Sequence, residues 1–150
     1  SDVRSVGRTA IGVRGIRLAD KDKVVSLIVA ESDDPILTAT EKGYGKRTQL
    51  DEYRAQARGG SGVISIKTSD RNGQVVGAIQ VTDEDEMMLI SDKGTLVRAR
   101  AADVSIIGRN TQGVTLINIA DDEALVSVAK IAETDDDEEG ADEIEVTSEE

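Results

Sequence analysis

The chain repeats itself with a period of about fifty residues, and this periodicity restricts the possible folds more than any other feature of the sequence. The segment ILTATEKGYGKRTQL from Ile36 aligns without gaps on MMLISDKGTLVRARA from Met87, at an offset of 51. The same offset aligns identical residues: Lys42 with Lys93, Gly43 with Gly94, Arg47 with Arg98, Arg58 with Arg109, Gly62 with Gly113, Val63 with Val114 and Ile66 with Ile117. An earlier copy matches at an offset of 50, with Arg8, Gly12, Val13 and Ile16 over Arg58, Gly62, Val63 and Ile66. The three copies predict repeat units over residues 1–34, 35–85 and 86–132.

Each unit contains short apolar, β-branched runs separated by turn residues, which is the pattern of strands. The predicted strands are 13–18 and 23–30 in the first unit, 36–40, 46–50, 63–68 and 74–82 in the second, and 87–91, 95–100, 114–119 and 124–131 in the third. Gly43, Gly94 and the pair Asn72-Gly73 supply tight turns. Four-stranded units of this length predict an all-β, β-propeller-like array with about two and a half blades present. A β-solenoid is the alternative, although its repeats are shorter.

Positive charge recurs in phase with the repeat. The window from Lys42 to Arg58 holds five cations and two acids, and the window from Lys93 to Arg109 holds four cations and one acid, so both carry a net charge of +3. Equal positions of stacked units lie at equal heights, so the cations would form a belt suited to the regularly spaced phosphates of duplex DNA. The candidate DNA contacts are Arg8, Arg14, Arg17, Lys42, Lys46, Arg47, Arg54, Arg58, Lys93, Arg98, Arg100 and Arg109. For any single member, an ordinary solubilising role on a strand surface is the competing interpretation.

The loop QARGGSG, residues 56–62, places one cation inside a run of glycines. Glycines allow backbone amides to approach a phosphate closely, and an arginine presents a fork of donors that matches phosphate oxygens. The residues with which this loop would bind a phosphate are Gln56, Arg58, Gly59, Gly60 and Gly62.

The composition excludes much enzyme chemistry. The chain has no cysteine and no histidine, so thiolate metal sites and the commonest general base are missing, and we expect no catalytic residue, no metal and no cofactor here. Only two aromatic residues occur, Tyr44 and Tyr53, which disfavours recognition of single strands by base stacking. The acids at 83–86 lack the spacing of a calcium loop and are interpreted as a solvated loop. Without long apolar segments or cysteines, the sequence predicts a cytoplasmic protein with no membrane span.

The acidity of the chain belongs mainly to its C-terminal segment. The formal net charge is -12, but residues 133–150 hold eleven acids and no base, which leaves 19 acids against 18 bases in residues 1–132. Such a segment has too little apolar content to offset its ordering entropy, so we predict a disordered acidic tail over 133–150. As a polyanion it would compete with DNA for the basic surface.

The motifs GVRGIRL, DKVVSLIV, ILTATEKGYGKRT, GVISIKT, RNGQVVGA, GTLVRAR and SIIGRNTQGVTLI resemble the last blades of the C-terminal domain of the bacterial DNA gyrase A protein. The resemblance covers residues 1 to about 132, and the acidic end is also similar. It implies a six-bladed β-pinwheel that wraps duplex DNA with positive handedness and so supports ATP-driven introduction of negative supercoils. It also implies partners outside this segment, namely the gyrase B protein and a second copy of the A protein in an A2B2 tetramer, with ATP and Mg²⁺ used elsewhere in that enzyme. The expected location is the bacterial cytoplasm, in association with the nucleoid.

The family has a basic glycine box of the form QRRGGRG, which the resemblance assigns to the first blade, outside this chain. QARGGSG is similar, but Ala57 and Ser61 replace two cations, so we interpret it as a degenerate copy that retains the turn and one phosphate contact. The catalytic tyrosine of the family belongs to its N-terminal part, so neither tyrosine of this chain inherits that role. The alternatives are the corresponding domain of topoisomerase IV and a blade array that binds proteins.

Overall fold

The computed structural model describes residues 4–131, which form seven strands and two short 3-10 helices. The strands are β1 (Ile36–Thr40), β2 (Tyr44–Thr48), β3 (Val75–Gln80), β4 (Glu86–Ser91), β5 (Leu96–Arg100), β6 (Val114–Thr115) and β7 (Leu125–Lys130), and the 3-10 helices are Leu50–Glu52 and Ala101–Asp103. None of the helices in this range is long and apolar enough to span a bilayer. The predicted acidic tail over 133–150 lies outside the described residues.

The strands form two antiparallel sheets, with the orders β3-β1-β2-β6 and β5-β4-β7. In each sheet the first strand of a unit is central: β1 lies between β2 and β3, and β4 lies between β5 and β7. The prediction of an all-β fold with propeller-like sheets is therefore confirmed.

The offset of 51 found in the sequence also relates the two sheets in space. The pairing of β1 with β3 shifts register between Ala39 and Thr40, and the pairing of β4 with β7 shifts register 51 residues later, between Ile90 and Ser91. The two 3-10 helices, which start at Leu50 and Ala101, are related by the same offset. The predicted hairpin glycines Gly43 and Gly94 both have positive φ, 85° and 82°. The repeat is thus structural as well as sequential.

Neighbouring units are joined by an exchanged strand. The short strand β6 belongs to the third unit in sequence, but it pairs with β2 of the second unit, where Val114 lies opposite Gly45 and Thr115 opposite Tyr44. The approach is so close that a Cβ at Gly113 would lie 2.5 Å from the carbonyl oxygen of Gly45. A side chain at either glycine would therefore force the two units apart.

Three predicted strands are wrong within the described residues. The segments 13–18, 23–30 and 63–68 form no ladder, apart from an isolated parallel bridge between Ile16 and Gly60. Residues 63–68 correspond to β6, and 23–30 correspond to β3, so their partners would be copies of β2 and β1 one period earlier. β1 begins at Ile36 and β2 at Tyr44, less than one period into the sequence. The described residues therefore contain no earlier copy of either strand with which these segments could pair.

The apolar core lies between the two sheets. Its buried residues come from both sheets and from the turns beside them: Leu37, Ala39, Val81, Met87, Leu89, Ala101, Val104, Ile117, Leu125 and Val128. Residues 4–33 contribute little to this core, because nearly all of them are exposed. The second and third units therefore supply the packed core beside which the candidate site lies.

Candidate nucleic-acid interface

The glycine loop at 56–62 is held by backbone hydrogen bonds to the first unit. The amide of Gly59 donates to the carbonyl of Gly15 at 2.8 Å, and the carbonyl of Gly60 accepts from the amide of Arg17 at 2.8 Å. Gly59 and Gly62 have φ of 75° and 81°, a region that glycine enters at little cost. Gln56 lies beside the turn, since a Cβ at Gly60 would lie 3.7 Å from its Oε1.

Arg58 is exposed at the tip of this loop. In the part of the chain that the structure describes, its side chain makes no hydrogen bond and no ion pair. It lines a cavity of about 480 Å³ together with Arg4 and two glycines, and the other lining residues are apolar, namely Val6, Ala10, Ile11 and Val13. The exposed guanidinium of Arg58, rather than the cavity, is the group that can bind a phosphate.

A second glycine loop, residues 107–113, occupies the equivalent position one unit later. Its Thr111 carbonyl accepts from the amide of Lys67 at 2.8 Å, which repeats the bond between Gly60 and Arg17. The guanidinium of Arg109 is less free than that of Arg58, because Nη1 donates to the carbonyl of Ile64 at 2.7 Å. Its Nε is buried and has no acceptor among the described residues.

These bonds connect the two loops into one continuous surface, which we call the loop track: residues 14–17, 56–62, 64–67 and 107–113. Residues 14–17 bond the first loop, the chain then runs from that loop into 64–67, and those residues bond the second loop. The cations of the track are Arg14, Arg17, Arg58, Lys67 and Arg109. The structure therefore brings together four of the predicted contacts and adds Lys67.

Lys46 must be removed from the predicted set of DNA contacts. Its side chain is fully buried, and Nζ donates to the carbonyl of Gly108 at 2.6 Å, to the carbonyl of Arg109, and to Thr111 through Oγ1 at 2.8 Å and the carbonyl at 3.3 Å. Burial and, second, the charge of Arg109 lower the pKa of Lys46 to about 8, against the opposing effect of Glu52. The lysine therefore acts on the inside of the second loop and is closed to a phosphate in solvent.

Arg47 must also be removed from the predicted DNA contacts, because its side chain is only 5% exposed. Its Nε donates to the carbonyl of Val104 at 2.8 Å, and Nη1 forms an ion pair with Asp83. Residues of the third unit bury Arg47, since its backbone also forms hydrogen bonds with Ser105 and Ile107. Arg47 therefore binds protein acceptors, and it is closed to DNA in this arrangement.

The cations of the third unit are largely neutralised on the protein surface. Lys93 pairs with Asp122, Arg98 with Glu86, and Arg100 with Asp103 at 3.2 Å. Each of these side chains remains substantially exposed. A DNA phosphate that binds one of them would have to displace the paired carboxylate or share the cation with it. The net charge of +3 counted in this window overstates the positive charge that is free there.

The remaining predicted contacts lie on the surface. Arg8 and Arg54 are exposed and form no ion pair within residues 4–131. Lys42, at the hairpin turn, donates from Nζ to the carbonyl of Asp70.

Sequence reasoning missed Lys67 and Arg4. Lys67 had a usable signal, because the offset of 50 places it under Arg17. Arg4 had the same kind of signal, because the offset of 50 places it over Arg54, which the sequence did predict as a contact.

Comparison with known proteins agrees with this architecture. The family model of the DNA gyrase C-terminal domain, described as a beta-propeller, matches residues 1–31, 34–82 and 85–132 of this chain. This chain belongs to the DNA gyrase C-terminal domain family. It is 61% identical over 138 residues to the DNA gyrase A protein of Klebsiella oxytoca and 57% identical over 138 residues to that of Escherichia coli K12, covering 92% of this chain in both cases. The chain spans 16% of the length of these relatives.

Two solved structures share the fold. A structure of the DNA gyrase A C-terminal domain matches with a TM-score of 0.76 at 33% identity, over 87% of this chain and 45% of that one. The C-terminal domain of DNA topoisomerase IV matches with a TM-score of 0.77 at 26% identity, over 87% of this chain and 41% of that one. The TM-scores of these two matches are nearly equal, whereas the relatives from Klebsiella oxytoca and Escherichia coli are both gyrase A proteins.

Proposed function

We propose that this chain binds duplex DNA along the loop track, as the terminal blades of the C-terminal domain of a DNA gyrase A protein. The observation that supports this most directly is the backbone connection between equivalent loops of successive units. It gives a surface on which cations recur at the period of the repeat. A duplex, whose phosphates also recur regularly, is a ligand that can engage more than one unit at once.

The proposed mechanism is electrostatic. Each phosphate neutralised by a cation of the track releases condensed counterions, and the summed contacts offset the cost of bending the duplex. Arg58 carries the clearest single contact, because its guanidinium is exposed and unpaired among the described residues. No base-specific readout is required, since wrapping has to tolerate many sequences.

The other exposed cations fall into two groups in this proposal. Arg8 and Arg54 add phosphate contacts beside the track. Lys42, Lys93, Arg98 and Arg100 contribute less, because each already bonds an acid or a carbonyl of the protein.

In the whole enzyme, the wrapped segment would be presented with positive handedness, so that ATP-driven strand passage introduces negative supercoils. The chemistry, the ATP and the Mg²⁺ would belong to other parts of that enzyme, and this segment would use no cofactor of its own. The gyrase B protein and a second copy of the A protein would be bound through other regions, in an A2B2 tetramer in the bacterial cytoplasm near the nucleoid.

The likeness to the topoisomerase IV domain supports a second candidate, the corresponding domain of that enzyme. The high identity to gyrase A proteins favours the first. A protein-binding platform is the candidate from another class, and exposed apolar residues of the first unit such as Val6, Ile11 and Leu27 favour it.

The test is equilibrium binding of a fluorescent duplex to the intact parent protein at several salt concentrations. We expect strong salt dependence, and Arg58→Ala should lower the slope of log K against log salt by about one unit. Lys23→Ala is the matched control, because Lys23 is an exposed cation outside the track that, like Arg58, forms no ion pair within residues 4–131. Binding that ignores salt, or equal slopes for Arg58→Ala and the unchanged protein, would remove the proposed role of Arg58.

A further inference from the structure

The buried Lys46 fixes the direction in which the backbone of the second glycine loop faces. Its ammonium group donates hydrogen bonds to the carbonyl oxygens of Gly108, Arg109 and Thr111, which therefore lie on one side of the loop. A fully buried ammonium needs such partners, since an unpaired charge in that position would be strongly destabilising. The loop is therefore held by a side chain of the preceding unit.

Peptide geometry then determines where the amides point. The chain contains no cis peptide bond among the described residues, and in a planar trans peptide the N–H points opposite to the C=O. The carbonyls of Gly108, Arg109 and Thr111 belong to the same peptides as the amides of residues 109, 110 and 112. Those three N–H groups accordingly face away from Nζ, on the other side of the loop.

The three amides are unused by the protein. Across residues 4–131, the amides of Arg109, Asn110 and Gln112 donate to no backbone or side-chain acceptor. Neighbouring N–H groups of one turn that have no acceptor in the protein can bind an anion.

We propose that the backbone of residues 108–112 is a phosphate site, and that Lys46 is its positioning residue, acting through the loop without touching the phosphate. The inference rests on the proposed function, because a DNA backbone is taken as the source of the phosphate. It adds to that function a contact made by neutral amides, which charge counting along the sequence does not detect.

The site is specific to this pair of units. The residue equivalent to Lys46 one unit later is Val97, which has no ammonium group with which to hold a following loop. In the loop at 56–62, the equivalent of the Asn110 amide is that of Gly59, and it is already bonded to the carbonyl of Gly15 at 2.8 Å. The other two equivalent amides, those of Arg58 and Ser61, bond no acceptor among the described residues, so the two loops differ in the middle amide of the three and in the lysine beneath it.

The experiment is an NMR titration of the intact parent protein, with selective ¹⁵N labelling of arginine, asparagine and glutamine. A short duplex is one probe and inorganic phosphate is the other. We expect the duplex to shift the amide signals of Arg109, Asn110 and Gln112, and Lys46→Met to abolish these shifts and weaken duplex binding about tenfold. The salt slope should stay unchanged, because neutral amides release few counterions.

Matched variants keep the outcome clear. Lys130→Met removes the same charge from an exposed position and should leave the three shifts intact. Should Lys46→Met fail to fold, Thr111→Val is the second variant: it removes one acceptor of Nζ and the hydroxyl's own bond to the Gly108 carbonyl, with little change in volume, and should reduce the shifts.

Each result decides one question. Shifts with the duplex and none with inorganic phosphate assign the ligand to DNA. Shifts with both assign it to phosphate in general and also support the site. Duplex binding with no shift at the three amides, or shifts that survive Lys46→Met, would overturn the inference while leaving the proposed function standing. Absence of any duplex binding would instead remove the proposed function.

Discussion

The two glycine loops occupy the same place in the repeat but are held in different ways. The loop at 56–62 bonds the first unit through two backbone hydrogen bonds, and its arginine is free among the described residues. The loop at 107–113 is held on one side by the second unit, which supplies Lys46 beneath it and the carbonyl of Ile64 for its arginine. Equivalent sequence therefore gives equivalent backbone position, while the neighbouring unit decides which groups remain available to a ligand.

The largest expected difference between the two loops concerns their last glycines. Gly62 and Gly113 have nearly the same φ, 81° and 82°, so alanine is strained at both. Only at Gly113 does the new Cβ meet backbone, the Gly45 carbonyl oxygen at 2.5 Å, whereas at Gly62 the nearest atom is Cδ1 of Ile16 at 3.6 Å. Gly113→Ala should lower the free energy of unfolding by about 4 kcal/mol and Gly62→Ala by about 1 kcal/mol in urea denaturation. Equal losses would show that the exchanged strand β6 is not held as described.

The two equivalent arginines Arg47 and Arg98 sharpen the same contrast. Arg47→Ala leaves the buried carbonyl of Val104 without a donor and opens a cavity, so it should cost about 3 kcal/mol of unfolding free energy. Arg98→Ala breaks an exposed pair with Glu86 and should cost less than about 1 kcal/mol. Thermal and chemical denaturation of both variants measures the difference, and a larger loss for Arg98→Ala would contradict the burial of Arg47.

The pH dependence of stability tests the environment of Lys46. Its pKa is 10.5 ordinarily and about 8 in the folded chain, so between these values the unfolded state binds more protons. The free energy of unfolding should therefore rise with pH from about 8 to 10.5, by about 3 kcal/mol, in the unchanged protein relative to Lys46→Met. Parallel pH profiles for the two proteins would contradict the lowered pKa.

The period, the hairpin glycines and the central strands of both sheets follow from the sequence, because they depend on local turn chemistry and on apolar runs. β1 and the turn at Gly43 are where the pattern predicts them. The exchange of β6 could not be predicted in the same way, since periodicity identifies a strand without assigning it to a sheet. The partners of β6 at Tyr44 and Gly45 lie about seventy residues earlier in the chain.

In the candidate site, too, features that depend on neighbouring residues in the sequence were predictable, and features that depend on the next unit were not. Arg58 is recognisable from the sequence because its surroundings are local glycines. The burial of Lys46 and Arg47 was not predictable, because a lysine and an arginine on a strand are ordinarily exposed and the residues that cover them, 104–111, belong to the next unit. Lys67 and Arg4 are the residues that the repeat could have supplied, through their alignment with Arg17 and Arg54.

The claim that the loop track binds the phosphates of duplex DNA is tested most directly by the salt slope of a multiple variant. Replacing Arg14, Arg58, Lys67 and Arg109 by alanine in the intact parent protein should lower the slope by about four units. Replacing the ion-paired Lys93, Arg98 and Arg100 should lower it by clearly less than three, since each is already neutralised by an acid. A slope that is unchanged in the first variant and reduced in the second would place the DNA on another face of the molecule and contradict the account.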